Sequence, residues 1–195
     1  MNKAKNIIFD IETLGTAQNT CVLTLAAIPF DLNTRDSFDE LLDRGFYCKL
    51  DVKDQMKNGR TYDEKTLKWW KAQSLEARQM NLLPTEQDLL PVEALTKLNN
   101  FIEPLYDENT ILWCRGLDFD KPKLEHIYSQ YEIEMFLRWW KWRDIRTFVD
   151  CLTGSIDGKY PFKTPENFIA HNCLYDCVKD VMCMQEIWSK RNNGW

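Results

Sequence analysis

The stretch Asn6-Ile7-Ile8-Phe9-Asp10-Ile11-Glu12 decides the fold. Its β-branched and aromatic residues, alternating with acids towards Glu12, read as a β-strand, and Gly15 ends it. Residues two apart on a strand leave the same face, so Asp10 and Glu12 project together, about 6.5–7 Å apart along the strand. Two carboxylates aimed into one cleft repel unless a cation or a proton intervenes. The plain alternative is a sheet edge that simply faces water.

Outward from this strand, the apolar run 22–30 reads as a second strand and 45–50 as a third. Three strands close in sequence, joined by short links, suggest an antiparallel meander. The pattern then turns helical. Residues 61–77 form a helix in this reading, with Asp63 and Glu64 in its first turn and Leu67, Trp70 and Leu75 on one face. Further helices are expected over 91–105, 120–131 and 143–152, with a short strand at 110–114. The last begins after Asn172, a good N-cap, and carries the stripe Leu174, Cys177, Val178, Val181, Met184 and Trp188. The segment 153–170 reads as a loop. Strands first, then helices interleaved with another strand, give a mixed α/β domain.

Composition sets the outer bounds. A chain of 195 residues fits a single domain over 1–195. With 44% hydrophobic and 28% charged residues it can bury a full core, which excludes a disordered tail, a fibre or a disulfide-stapled mini-protein. No apolar run approaches the ~18 residues of a membrane span, and the start lacks a signal-peptide core. A cytoplasmic location is expected. The seven cysteines are odd in number, irregularly spaced and free of CxxC pairs, as buried reduced thiols would be. Zinc held by Cys173, Cys177 and one of the two histidines is the weaker alternative. Thirty acids against 25 bases leave a net charge of −5, which argues against gripping nucleic acid through bulk positive charge.

Two further groups of residues carry chemistry. Gly116-Leu117-Asp118-Phe119-Asp120 forms a turn between strand and helix, where Asp118 and Asp120 compete as cap and as ligand. His171 precedes the final helix and Asp176 lies in its first turn, where the helix dipole favours an ionised carboxylate. His126, inside a helix, reads as structural.

A strand D-x-E, then F-D-x-x-x-L after a mid-chain strand, then H-x-x-x-x-D opening a late helix occur here in that order. This pattern resembles the DEDDh exonucleases, the branch that includes DNA polymerase proofreading subunits. The segments TLKWWKAQS (66–74), WCRGLDFD (113–120), RDIRT (143–147) and HNCLYDCVKD (171–180) are similar to the T-even bacteriophage exonuclease A type and its bacterial relatives, some of which act on RNA. The similarity runs from Ile7 to about Trp188 and is weakest over 153–168.

The resemblance implies an RNase H-like fold and stepwise 3′→5′ removal of nucleotides, in the host cytoplasm if the gene is phage-borne. It selects Asp120 over Asp118 and gives a catalytic set of Asp10, Glu12, Asp120, Asp176 and His171. The four carboxylates would hold two divalent cations, Mg²⁺ or Mn²⁺, and His171 would act as general base. Asp10 would bridge the two ions, with Glu12 and Asp176 at one and Asp120 at the other. Leu14 would wedge against the terminal base, and Arg115, Phe119, Arg143 and Arg146 would contact substrate. Lys121, Lys123 and Lys163 are further phosphate candidates, and Arg143 and Arg146 would otherwise pair with Asp144 and Asp150.

The expected substrate is the 3′ end of single-stranded DNA, with RNA as the alternative and a non-catalytic binding module as a third reading. Eight tryptophans offer stacking surfaces, although one of each adjacent pair, Trp69-Trp70 and Trp139-Trp140, is expected to pack inward. Two bound cations would offset four of the thirty acids and place positive charge where a phosphate sits.

Overall fold

In a computed structural model, which describes residues 3–166 and 168–193, the opening strand β1 (Asn6–Thr13) lies at the centre of a five-stranded sheet. It pairs antiparallel with β2 (Val22–Phe30), which pairs antiparallel with β3 (Phe46–Lys49). On its other side β1 runs parallel to β4 (Ile111–Cys114), and β4 runs parallel to β5 (Trp142–Asp144). The order β3-β2-β1-β4-β5 is the expected meander followed by parallel strands.

Alternation along β1 divides the protein into two cores. Ile7, Phe9 and Ile11 face α5 (Pro91–Ile102) and α6 (Asp120–Gln130), packing on Leu95, Leu98, Leu124 and Ile127. Ile8 faces the opposite side, with α7 (Ile145–Thr153) and the long α8 (Cys173–Asn193). There Val178, Val181, Met184 and Ile187 recur at helical spacing and are fully buried. Each such side chain contributes roughly 1.5–3 kcal/mol of apolar burial. Asp10 and Glu12 continue the Ile8 face of β1 and therefore point towards α8.

Four local features depart from the sequence reading. The link from β2 to β3 is not short: it contains α1 (Phe38–Asp43), closed by a reciprocal capping box between Ser37 and Glu40. A short α2 (Val52–Lys57), capped by Asp51, follows β3. The expected helix over 61–77 is two helices, α3 (Glu64–Lys71) and α4 (Leu75–Asn81), because Ser74 caps a new start by accepting from the Ala77 amide. Residues 142–144, with 143 and 144 expected in a helix, extend the sheet as β5. There Asp144 caps α7 by accepting from the Thr147 amide.

Asn172 does cap the last helix, accepting from the amides of Leu174 and Tyr175, both at 3.1 Å. The seven cysteines are all free thiols, six of them buried. No helix among the described residues is long and apolar enough to cross a membrane.

Candidate active site

The cleft forms where the strand order reverses direction, beyond the carboxyl ends of β1 and β4. Asp10, Glu12, Asp120, His171 and Asp176 all line it, in a hollow of about 650 Å³. They arrive on several supports. Asp10 and Glu12 come from β1, Asp120 from the first turn of α6, and Asp176 from the first turn of α8. One ligand atom each from Glu12, His171 and Asp176 lies within 4.8 Å of the others.

Asp120 is fixed by the turn after β4. Gly116 adopts φ 97°, and the amides of Gly116 and Leu117 both donate to Asp144 Oδ2 at 2.9 Å. This ties the turn to the start of α7 and leaves Asp118 in solvent while Asp120 is buried. One oxygen of Asp120, Oδ2, is buried without a hydrogen-bond partner. A buried carboxylate oxygen left unpaired is costly, and a cation is its natural counterpart.

His171 takes a left-handed backbone conformation, with φ 61°, that is uncommon for residues other than glycine. Its carbonyl is clamped, accepting from Asn81 Nδ2 at 2.6 Å. Asn81 is fully buried at the end of α4, where it also donates to the Ala77 carbonyl and accepts from the Thr24 hydroxyl. Strain of this kind persists only where the surroundings over-determine it. The ring of His171 meets Trp69 edge to face, at 4.8 Å between centroids.

The two tryptophans of α3 divide their roles as expected. Trp70 is buried and donates to the Thr13 carbonyl at 2.9 Å, whereas Trp69 stays exposed beside His171. Trp139 and Trp140 overturn the same expectation, since both are exposed, at 72% and 50%. A 3₁₀ turn at Trp139–Lys141 presents both outwards, and Trp142 and Leu137 take the inward positions.

The electrostatics are those of a crowded acidic pocket. Burial, then the charges of Asp120, Glu12 and Asp176, hold the Asp10 carboxyl well above the usual range. Glu12 is raised for the same reasons, with burial foremost. Burial lifts Asp120 to about 8 against the pull of Lys123 and Arg146, and lifts Asp176 to about 6 with help from Asp180. Burial, with Lys179 nearby, lowers His171 and so favours the neutral imidazole.

The expected substrate contacts fall into two groups. Arg115, Phe119 and Arg146 line the cleft, and Arg146 forms no ion pair among the described residues. The fork of Arg115 is already occupied: Nε and Nη2 donate to Asp180 at 2.8 Å each, and Nη1 donates to the Gly158 carbonyl at 2.9 Å. Arg143 lies outside the cleft and donates to the carbonyls of Trp140 and Trp142. Leu14 is buried against Trp70, Cys21 and Leu23 rather than lining the cleft. Lys123 is buried and caps the ring of Phe119 at 3.2 Å. His126 is engaged by Arg60 at 3.1 Å on another face.

Three residues in or behind the cleft escaped the sequence reading. Asp180 and Lys179 stand one turn beyond Asp176 on α8, a spacing of three or four that was available as a signal. Asn81 gave none.

The mixed sheet, with four carboxylates and a histidine converging in its cleft, has the RNase H-like fold of nucleases. The 3′-5′ exoribonuclease Rv2179c-like domain matches residues 5–188 of the chain. The chain belongs to that family and is an exonuclease. It is 34% identical over 203 residues to an exodeoxyribonuclease of Enterobacteria phage T4, covering 92% of this chain and 87% of that protein. The fold is similar to cell-death related nuclease 4 (CRN-4), with a TM-score of 0.60 and 12% identity, over 99% of this chain. The chain spans 66% of the length of CRN-4. It is also similar to S. pombe Pop2p in a Mg²⁺- and Mn²⁺-bound form, with a TM-score of 0.56 and 10% identity, over 96% of this chain and 84% of that one.

Proposed function

We propose that the protein removes mononucleotides one at a time from the 3′ end of single-stranded DNA, with Asp10, Glu12, Asp120, Asp176 and His171 as its catalytic set. The observation that carries this reading is the convergence of these five side chains from several elements in one cleft. The phage exodeoxyribonuclease, similar over nearly the whole chain, favours DNA. The family description favours RNA as the second reading.

The residues fit hard divalent cations. All four acids are oxygen donors, their raised proton affinities mark an uncompensated negative pocket, and the Asp120 oxygen lacks a partner. Asp10, Glu12 and Asp176 would hold one ion and Asp10 and Asp120 a second; when bound, Mg²⁺ or Mn²⁺ would neutralise the pocket and polarise the scissile phosphate.

The chain's own groups supply the rest. His171, neutral at pH 7 and turned into the cleft, would accept the proton of the attacking water. Trp69 against its ring and Asn81 on its carbonyl would fix the direction of that transfer. Arg146, without an ion-pair partner, would bind a substrate phosphate.

The test uses 5′-labelled single-stranded DNA and RNA of matching sequence with Mg²⁺, Mn²⁺ or EDTA. A stepwise ladder on DNA that EDTA removes is expected. A ladder on RNA alone would select the second reading, and tight binding without products in any metal would overturn both.

A further inference from the structure

The surface formed by residues 138–143, Arg-Trp-Trp-Lys-Trp-Arg, lies outside the cleft and has no part in the proposed chemistry. It is a built feature. Leu137 and Trp142 on either side are buried, with the Trp142 ring 5.0 Å from Phe9, and the Arg138 amide donates to the Tyr106 hydroxyl at 3.1 Å. Between these anchors the turn holds Trp139 and Trp140 edge to face at 5.5 Å, and the Arg138 guanidinium lies 5.8 Å from the Trp140 ring.

Two adjacent exposed tryptophans on a rigid turn mark a contact surface. The charge around them identifies the partner. From Met135 to Arg143 there is no acid, in a chain whose net charge is −5. Arg138, Lys141 and Arg143 form no ion pair among the described residues; Lys141 and Arg143 are held by backbone carbonyls, which orient them without neutralising them. Flat aromatic faces interleaved with uncompensated cations suit stacked bases and their phosphates.

We infer that Trp139 and Trp140, with Arg138 beside them, form a second contact for single-stranded nucleic acid, holding nucleotides on the 5′ side of the one being cleaved. The inference rests on the proposed 3′-end chemistry, since a strand whose 3′ end occupies the cleft can extend only in its 5′ direction. The two places are within reach. Asp144, which braces the cleft turn at Gly116, is four residues from Trp140, a span of at most about 14 Å. The neighbouring hollow of about 500 Å³ is also lined by Glu125 and Glu134, so the bases belong on the tryptophan faces and the phosphates beside Arg138.

The experiment compares wild type, Trp139→Ala/Trp140→Ala and Trp139→Phe/Trp140→Phe on 5′-labelled dT₂₀ and on a dinucleotide too short to leave the cleft. Anisotropy of the same dT₂₀ in EDTA reads binding without cleavage. The alanine pair is expected to raise KM and Kd for dT₂₀ at least fivefold, while dinucleotide hydrolysis stays at the wild-type rate and the phenylalanine pair retains most of the affinity. Unchanged KM and Kd for dT₂₀ in the alanine pair would overturn the inference. So would a concentration-dependent dimer in wild type that the alanine pair abolishes in sedimentation, which would make the surface a contact between copies. Failure of the underlying reading looks different, because wild type would then cleave neither substrate.

Discussion

The Asn81 side chain donates to the His171 carbonyl at 2.6 Å across ninety positions of sequence, and through it the segment between β3 and α5 reaches the cleft. Asn81→Ala leaves that carbonyl and the Thr24 hydroxyl without their partner in a buried place. The expected cost is about 1–3 kcal/mol of stability. Release of the His171 backbone should also lower kcat on the order of 10–100-fold with little change in KM. Thermal melting and steady-state kinetics on the same samples check both, and a fall in stability with kcat intact would refute the positioning role.

Asp10 supports a second expectation. Its carboxyl is crowded by four other acids, Glu12, Asp120, Asp176 and Asp180, so its charge opposes folding whenever no cation is bound. Asp10→Asn should abolish hydrolysis and at the same time raise the melting temperature in EDTA. Full activity in a folded Asp10→Asn protein would sink the catalytic assignment.

The same crowding makes stability depend on pH in a direction opposite to that of a paired carboxylate. A carboxyl whose folded pKa is raised binds its proton more tightly in the native state than in the unfolded chain, so stability falls as pH rises between the two values. The window runs from the ordinary carboxylate range near 4 up to about 6 for Asp176 and about 8 for Asp120. Urea unfolding in EDTA should therefore show a falling ΔG across this range. Saturating Mg²⁺ should flatten the slope, and titration of the metal at pH 7 in buffers of different ionisation enthalpy should register proton release.

Arg146 lies against two glycines of positive φ. A Cβ on Gly116 would stand 2.5 Å from its Nη1, and one on Gly158 would stand 2.5 Å from its Cβ. Gly116→Ala should raise KM by displacing the guanidinium, besides costing about 1–3 kcal/mol of backbone strain. In an Arg146→Ala background the clash is absent, so the further change in KM should largely vanish while the strain remains. A double-mutant cycle measures that coupling.

Much of this was legible in the chain itself. The alternation at Asp10-Ile11-Glu12 places both acids on the α8 face because a strand leaves them no other choice. Asn172 announces α8, and with it the positions of His171 and Asp176. What was hidden depends on partners distant in sequence. Arg115 lines the cleft, but its fork is held by Asp180 and the Gly158 carbonyl, neither of which the local sequence announces. Arg143 and Arg146, three apart, look equivalent until β5 turns one away from the cleft and α7 carries the other into it. Helix propensity joins 61–77 into one element, whereas the Ser74 cap splits it and so delivers Asn81 to His171. Leu14 follows the acidic strand closely, yet the irregular register at Glu12–Thr13 turns the chain there and the side chain packs inward.

The position of α8 along the chain has a consequence for synthesis. Asp10, Glu12 and Asp120 leave the ribosome well before His171 and Asp176, and the sheet strands that frame the cleft all precede α8. An emerging chain can therefore assemble its acidic floor but has neither the proposed base, His171, nor the proposed fourth ligand, Asp176. Such an intermediate would be inert towards any nucleic acid nearby, including the message being translated, so a destructive activity would switch on only when the last helix docks.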